Sequence, residues 1–275
     1  MKKTLFLMIA VLVLSLAFAG AAMAVTPAGT IMKWSQPIDV ISGEIHEGQP
    51  VYNGWDQPSW GDPAVSRPPV ADDWECKDNR PVTDIHWWGS YLNWMGQSKP
   101  SGAPYAFWFA MYTDVPASPT NPYSHPGDLI WEDATSAYDE VFVGYDKDPR
   151  TGQITDSTFQ YNVTLPETDW FRQDPNANSI YWLSIGAVYW FPPPSSPEEW
   201  GWKTRPHFFQ DDAVTRNGNG GWDRVGYTES LTGNFQSWDM SFELSTVPEP
   251  SSLLALAAGL PALAGLAIRR RYAAR

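Results

Sequence analysis

The chain has 275 residues with 31 acidic and 18 basic side chains, a net charge of −13. Six bases sit at the two ends (Lys2, Lys3, Arg269, Arg270, Arg271 and Arg275), which leaves residues 25–250 with 31 acids against 12 bases, net −19. A surface of that sign repels polyanions and excludes nucleic acid as a partner. An aromatic content of 15% excludes a largely disordered chain, and the length permits one large or two small domains.

The first segment is an address. A basic start, Met1-Lys2-Lys3, is followed by an apolar run over Leu5–Phe18, interrupted by Ser15, and then by Ala22-Met23-Ala24. This order predicts a secretory signal peptide over residues 1–24, with Val25 opening the mature chain. The run is short for a membrane anchor, the alternative reading.

Residues 25–246 read as one β-rich ectodomain. Period-2 alternation places Phe159, Tyr161, Val163 and Leu165 on one strand face, and Trp238, Met240, Phe242 and Leu244 on another. Tyr105, Phe107, Phe109 and Met111 share a third face, and Ile85, Trp87 and Tyr91 a fourth. Ile180–Phe191 reads as a strand buried on both faces. Shorter candidates are Asp128–Trp131, Glu140–Tyr145, Trp200–Thr204 and Phe208–Val214. No helical period is evident. The Pro- and Gly-rich stretches Gly48–Pro69, Gly96–Pro104, Val115–Gly127, Phe191–Pro197 and Arg216–Gly233 read as surface loops. Eight or nine strands at this spacing predict an all-β, two-sheet sandwich with a jelly-roll-like order. Cys76 is alone, so no intramolecular disulfide is expected.

Residues 247–275 form the last unit. Leu253–Ile268 are apolar or small, with Pro261 in the middle, and Arg269-Arg270-Arg271 follows. As a helix the segment covers about 24 Å against a hydrocarbon core of about 30 Å, and Ser251 and Ser252 can extend it. A transmembrane helix is expected, with the arginines stopping transfer on the cytoplasmic side. Val247-Pro248-Glu249-Pro250, an apolar span and an arginine cluster, in that order, resemble the PEP-CTERM sorting signal. The resemblance implies a bacterium with an outer membrane and a sorting protease, an exosortase, that reads Pro248, Glu249 and Pro250. It further implies inner-membrane anchoring facing the periplasm before processing, then release to the cell surface or an exopolysaccharide matrix. The prolines hold an extended segment, which is the form a protease binds.

The middle segment carries a second resemblance. Val70-Ala71-Asp72-Asp73-Trp74, Ile85-His86-Trp87-Trp88-Gly89-Ser90-Tyr91 and Trp238-Asp239-Met240-Ser241-Phe242-Glu243-Leu244 are similar to an uncharacterised aromatic-rich sandwich domain of exported bacterial proteins. It implies a β-sandwich over about residues 30–246, and the family has no assigned catalytic residues to carry over.

Chemistry is sparse by comparison. Five adjacent acid pairs occur, about the number chance predicts for this acid content, so pairing by itself does not indicate a glycosidase. Asp72-Asp73 and Asp211-Asp212 sit beside strand-forming residues and are the candidate calcium ligands; turn-capping aspartates are the alternative. Asp146–Gly152 superficially resembles a calcium loop, but Arg150 stands where an oxygen ligand belongs, so it reads as a hairpin turn. His46, His86, His125 and His207 show no zinc spacing and read as structural. No nucleophile elbow, P-loop or dinucleotide fingerprint is present. The 16 tryptophans are the most informative feature. Indole faces stack on sugar rings, and Trp88, Trp108, Trp190, Trp200 and Trp202 are the candidate stacking residues. The alternative places them in the core or against prolines. The expected function is a sorted surface or matrix protein without catalysis or cofactor, calcium aside. A carbohydrate-binding module for a neutral extracellular polysaccharide is the first alternative. A glycan hydrolase or lyase is the second.

Overall fold

A computed structural model describes residues 30–61, 69–174, 180–190 and 198–247. Both predicted membrane-directed segments, 1–24 and 247–275, lie outside it apart from Val247, and so do Pro248, Glu249, Pro250 and Arg269–Arg271. Among the described residues no helix is long and apolar enough to cross a membrane.

The strands in chain order are β1 (Ile31–Gln36), β2 (Asp39–His46), β3 (Gln49–Asn53), β4 (Asp56–Pro58), β5 (Val70–Glu75), β6 (Asp84–Tyr91), β7 (Ala106–Val115), β8 (His125–Thr135) and β9 (Asp139–Asp148). They continue with β10 (Gln153–Thr164), β11 (Ile180–Val188), β12 (Trp200–Pro206), β13 (Val214–Arg216), β14 (Trp222–Arg224), β15 (Gly226–Thr228), β16 (Phe235–Met240) and β17 (Phe242–Thr246). A single 3-10 turn, Glu167–Asp169, is the only helical element among the described residues.

Two sheets result, as expected of a sandwich. The larger runs β15-β16-β12-β6-β10-β9-β3-β2, with β17 and β1 continuing from β6 and β4 against β12. The smaller runs β14-β13-β5-β11-β7-β8. Pairing is antiparallel except between β3 and β9.

The core lies between the sheets and is aromatic. Trp87 on β6 stacks on Tyr161 of β10 at 5.3 Å, and meets Phe107 and Phe109 of β7 edge-on, each at 5.1 Å. Edge-to-face rings match the positive rim of one to the negative face of the other, so these contacts add to the apolar burial that joins the sheets. β11 is buried from Tyr181 to Ala187, as its unbroken apolar run predicts.

Among the described residues seventeen strands stand where eight or nine were expected: β1, β2 and β5 were not among the candidates, the 238–244 alternation divides into β16 and β17, and short strands form inside two of the presumed loops. Gly48–Pro69 holds β3 and β4, and its Val51, Tyr52 and Trp55 are buried. Burying them outweighs the missing donors of Pro50 and Pro58, which sit near strand ends. Arg216–Gly233 holds β14 and β15 in the same way. Conversely, Phe208–Val214 is strand only at Val214. Asp239 captures the backbone amides of Phe208 and Phe209, at 2.6 and 3.0 Å, and those groups are lost to a ladder. Asp148–Gly152 is a hairpin turn between β9 and β10, with Asp148 gripping Arg150 and Gly152 at φ +72°.

Candidate functional site

Three features stand out, and the first is an acidic cluster at one end of the smaller sheet. Successive residues of a strand point to opposite faces, so the Asp72-Asp73 pair splits. Asp72 turns inward. Its carboxylate accepts from Gln36 Nε2 (2.7 Å), the Met240 amide (2.7 Å) and the Asp73 amide (3.0 Å). Gln36 and Met240 bind β5 to β1 and β16 across the sandwich through Oδ2, and the Asp73 amide engages Oδ1, so both oxygens are already used by protein donors. Asp72 is therefore a structural bridge, which corrects its expected ligand role. Asp73 turns the other way. It is buried, and its Oδ1 has no hydrogen-bond partner. Burial, then the charges of Asp239 and Asp211, push it up to about 9.

The second aspartate pair does converge on the first. Asp211 is tied to the Ser124 amide (3.3 Å) and hydroxyl (2.6 Å). Asp212 and Asp239 each place Oδ1 3.3 Å from Nδ1 of His207. Asp239 is fully buried, and burial pushes it up to about 6 against the opposing pull of the Phe209 and Phe208 amides. The sequence reading missed His207 and Asp239, because the turn that joins them exists only once Asp239 has folded over residues 207–209.

The second feature is a cleft of about 490 Å³ at the same end. Asn121, Tyr123, His125, Arg216, Trp222 and Asp223 line it. Tyr123 donates its hydroxyl to the Trp222 carbonyl at 2.5 Å, and the Arg216 guanidinium lies 5.5 Å from the Trp222 ring. Ser124, bonded to Asp211, joins the cleft wall to the acidic cluster.

The third feature is an open aromatic pair at the other end of β7 and β11. Trp190 stacks on Tyr105 with centroids 4.2 Å apart and planes 21° apart, and Trp190 is 67% exposed. No other tryptophan among the described residues is that open. The remaining stacking candidates fare differently. Trp200 and Trp202 have no exposed surface, pack in the main core, and cannot meet a sugar. Trp88 is 6% exposed, covered by Tyr52 and Val143. Trp108 is half-buried on the outer face of the smaller sheet, its Nε1 bonded to Glu132 at 3.2 Å. The tryptophan count therefore reflects core construction first. Tyr105, next to the stacking candidate Trp190, and Trp222 were missed as aromatic contacts.

The sequence of residues 32–245 matches the family model described as a domain of unknown function, DUF7901. The chain belongs to the DUF7901 family. The cluster, the cleft and the aromatic pair all fall inside the DUF7901 domain. Residues 246–271 match the PEP-CTERM protein-sorting motif, so the C-terminal segment is an exosortase-type sorting signal, which implies export and membrane-anchored processing toward the cell surface. No curated protein and no solved structure matches the chain.

Proposed function

We propose that the protein is a non-catalytic component of the cell surface or extracellular polysaccharide matrix, and that it holds a neutral glycan through the Trp190–Tyr105 platform. The observation that carries the reading is the exposure of that stacked pair. The stacked pair presents a flat aromatic face to water, braced by its second ring, which a ligand can cover without rearrangement. Sugar C–H faces fit such a surface. The net charge of −13 disfavours anionic polysaccharides. The cleft supports binding in preference to cleavage: Asp223 is its lining carboxylate, whereas glycosidic hydrolysis uses two, about 5–10 Å apart. A single platform binds weakly, and many copies on one polymer compensate.

The test is a pull-down of the purified protein on neutral polysaccharides, read by tryptophan fluorescence. Trp190→Ala should lower affinity by roughly 2- to 13-fold, the equivalent of the ~0.5–1.5 kcal/mol of ring stacking, while leaving the melting temperature nearly unchanged. Binding that survives Trp190→Ala would remove the platform from the proposal. Loss with Trp222→Ala instead would move the contact to the cleft.

A further inference from the structure

The acidic cluster has the donor set and spacing of a metal centre. We propose that His207 Nδ1, Asp212 Oδ1 and Asp239 Oδ1 bind a borderline divalent transition-metal ion of the Zn2+ type. The three ligand atoms all lie within 4.8 Å of one another. Each carboxylate oxygen is 3.3 Å from the imidazole nitrogen. That separation equals the edge of a tetrahedron with ligand bonds of about 2.0–2.1 Å, the lengths zinc makes to histidine and carboxylate. The imidazole decides the class of metal. Calcium takes 6–8 oxygen ligands, whereas one nitrogen and two carboxylates suit zinc and its neighbours.

Both carboxylate ligands are held from behind. Asp239 accepts from the Phe208 and Phe209 amides through Oδ2, which leaves Oδ1 to the metal. Asp212 takes Arg224 Nη1 on its other oxygen at 3.3 Å. Outer contacts of this kind orient ligands and raise affinity. His207 is exposed, so an ion has a path in and a water can complete the coordination.

A separate observation points to a cation at this place. The buried carboxyl of Asp73 has an oxygen with no partner, beside Asp239 and Asp211. Four acids, Asp73, Asp211, Asp212 and Asp239, lie near one arginine, Arg224, and one histidine, His207, both partly exposed, and Asp73, Asp212 and Asp239 are buried. A divalent ion relieves that repulsion, and it locks the 207–212 turn to β16. Through Asp211 and Ser124 the same ion steadies the wall of the cleft.

The experiment uses the tag-free, chelator-stripped full chain. Zn2+ should bind one equivalent by calorimetry and raise the melting temperature by mass action. Co2+ should give the visible absorption of a tetrahedral ion. His207→Ala removes an exposed ligand, so it should fold like the parent without metal, yet lose affinity about 100-fold or more. Equal Zn2+ affinity in His207→Ala overturns the proposal, as does the lack of a one-equivalent Zn2+ isotherm in the parent. Stabilisation by millimolar Ca2+ with no response to Zn2+ would also overturn it and assign the cluster to oxygen-only coordination. The glycan reading rests on other residues, so either can fail without the other.

Discussion

Asp56, Asp146 and Lys203 form an ionic cluster in the larger sheet with almost no solvent contact. Lys203 Nζ lies 2.6 Å from Asp146 Oδ1, and neither side chain is exposed. Thr158 donates to the same oxygen at 2.5 Å. Asp56 faces Asp146, and its pKa is raised well above the carboxylate range, first by burial and then by Asp146. Asp156, also buried, adds its charge to Asp56, so the lone lysine does not offset the acids and the protonated form of Asp56 is favoured. A raised folded pKa contributes stability that is complete below the unfolded value near 3.8 and is lost as pH rises through the folded value. Melting temperature should therefore fall as pH rises above about 4, the unfolded value, and Asp56→Asn, whose amide can donate to Asp146 without a proton, should flatten that fall. A variant with the parent's pH slope would show that Asp56 does not carry it. Lys203→Met leaves Asp146 buried without a counter-charge and should cost about 3–5 kcal/mol in denaturant unfolding. Trp87 sets the scale on the apolar side: Trp87→Ala should cost a similar ~3–5 kcal/mol, because a rigid aromatic cluster cannot collapse into the space.

Among the elements, the β9–β10 hairpin shows how backbone detail fits the larger sheet together. Its register shifts between Thr158 and Phe159, opposite Gly144, so β9 bulges there. Gly144 has φ +153°, and a Cβ on it would meet the Pro50 carbonyl oxygen of β3 at 2.4 Å. The bulge lets β3 lie parallel against β9, with Val51 opposite Tyr145. Gly144→Ala should destabilise by about 2 kcal/mol or more, through strain and the forced retreat of β3. An unchanged urea midpoint would show that β3 does not need this approach. Loop 207–213 makes the opposite point. Its composition suits a strand, yet Asp239 of β16 pulls the chain into a turn, and that turn brings His207 and Asp212 to Asp239.

Across the whole molecule, the first and last described strands pair with each other, Ile31 opposite Thr246. β17 also pairs with central β6, so the sorting segment leaves from a strand anchored on both edges. A domain held at the membrane through residues 247–275 therefore hangs from its own sheet. Changing Pro248, Glu249 and Pro250 together to Ala should leave the domain folded but abolish processing, with the unprocessed form accumulating in membranes. An unchanged product size and location would show that these three residues are not the recognition element.

How much of this was legible in the sequence depends on the range of the interactions involved. The alternation in 158–165 and 238–244, the uninterrupted run of β11 and the lack of a helical period establish an all-β chain, because strand periodicity is a local property. The sorting signal is legible for the same reason: it acts as an extended peptide with its information in consecutive residues. The fate of each tryptophan was not local. Trp200 and Trp202 fall on a recognisable short strand, but their burial comes only when β12 inserts between β6 and β4, and Trp190 is left outside because it lies just beyond the end of β11. Likewise, Asp72 and Asp73 read as one pair, but the strand pleat turns one into a sheet bridge and the other toward Asp211 and Asp239. The sequence by itself determined the class of fold and the route to the surface. The tertiary structure decided which aromatics remain open to a ligand and which acids share a site, because both depend on residues far apart in the chain: Tyr105 meets Trp190 85 positions away, and Asp72 meets Met240 168 positions away across the two sheets.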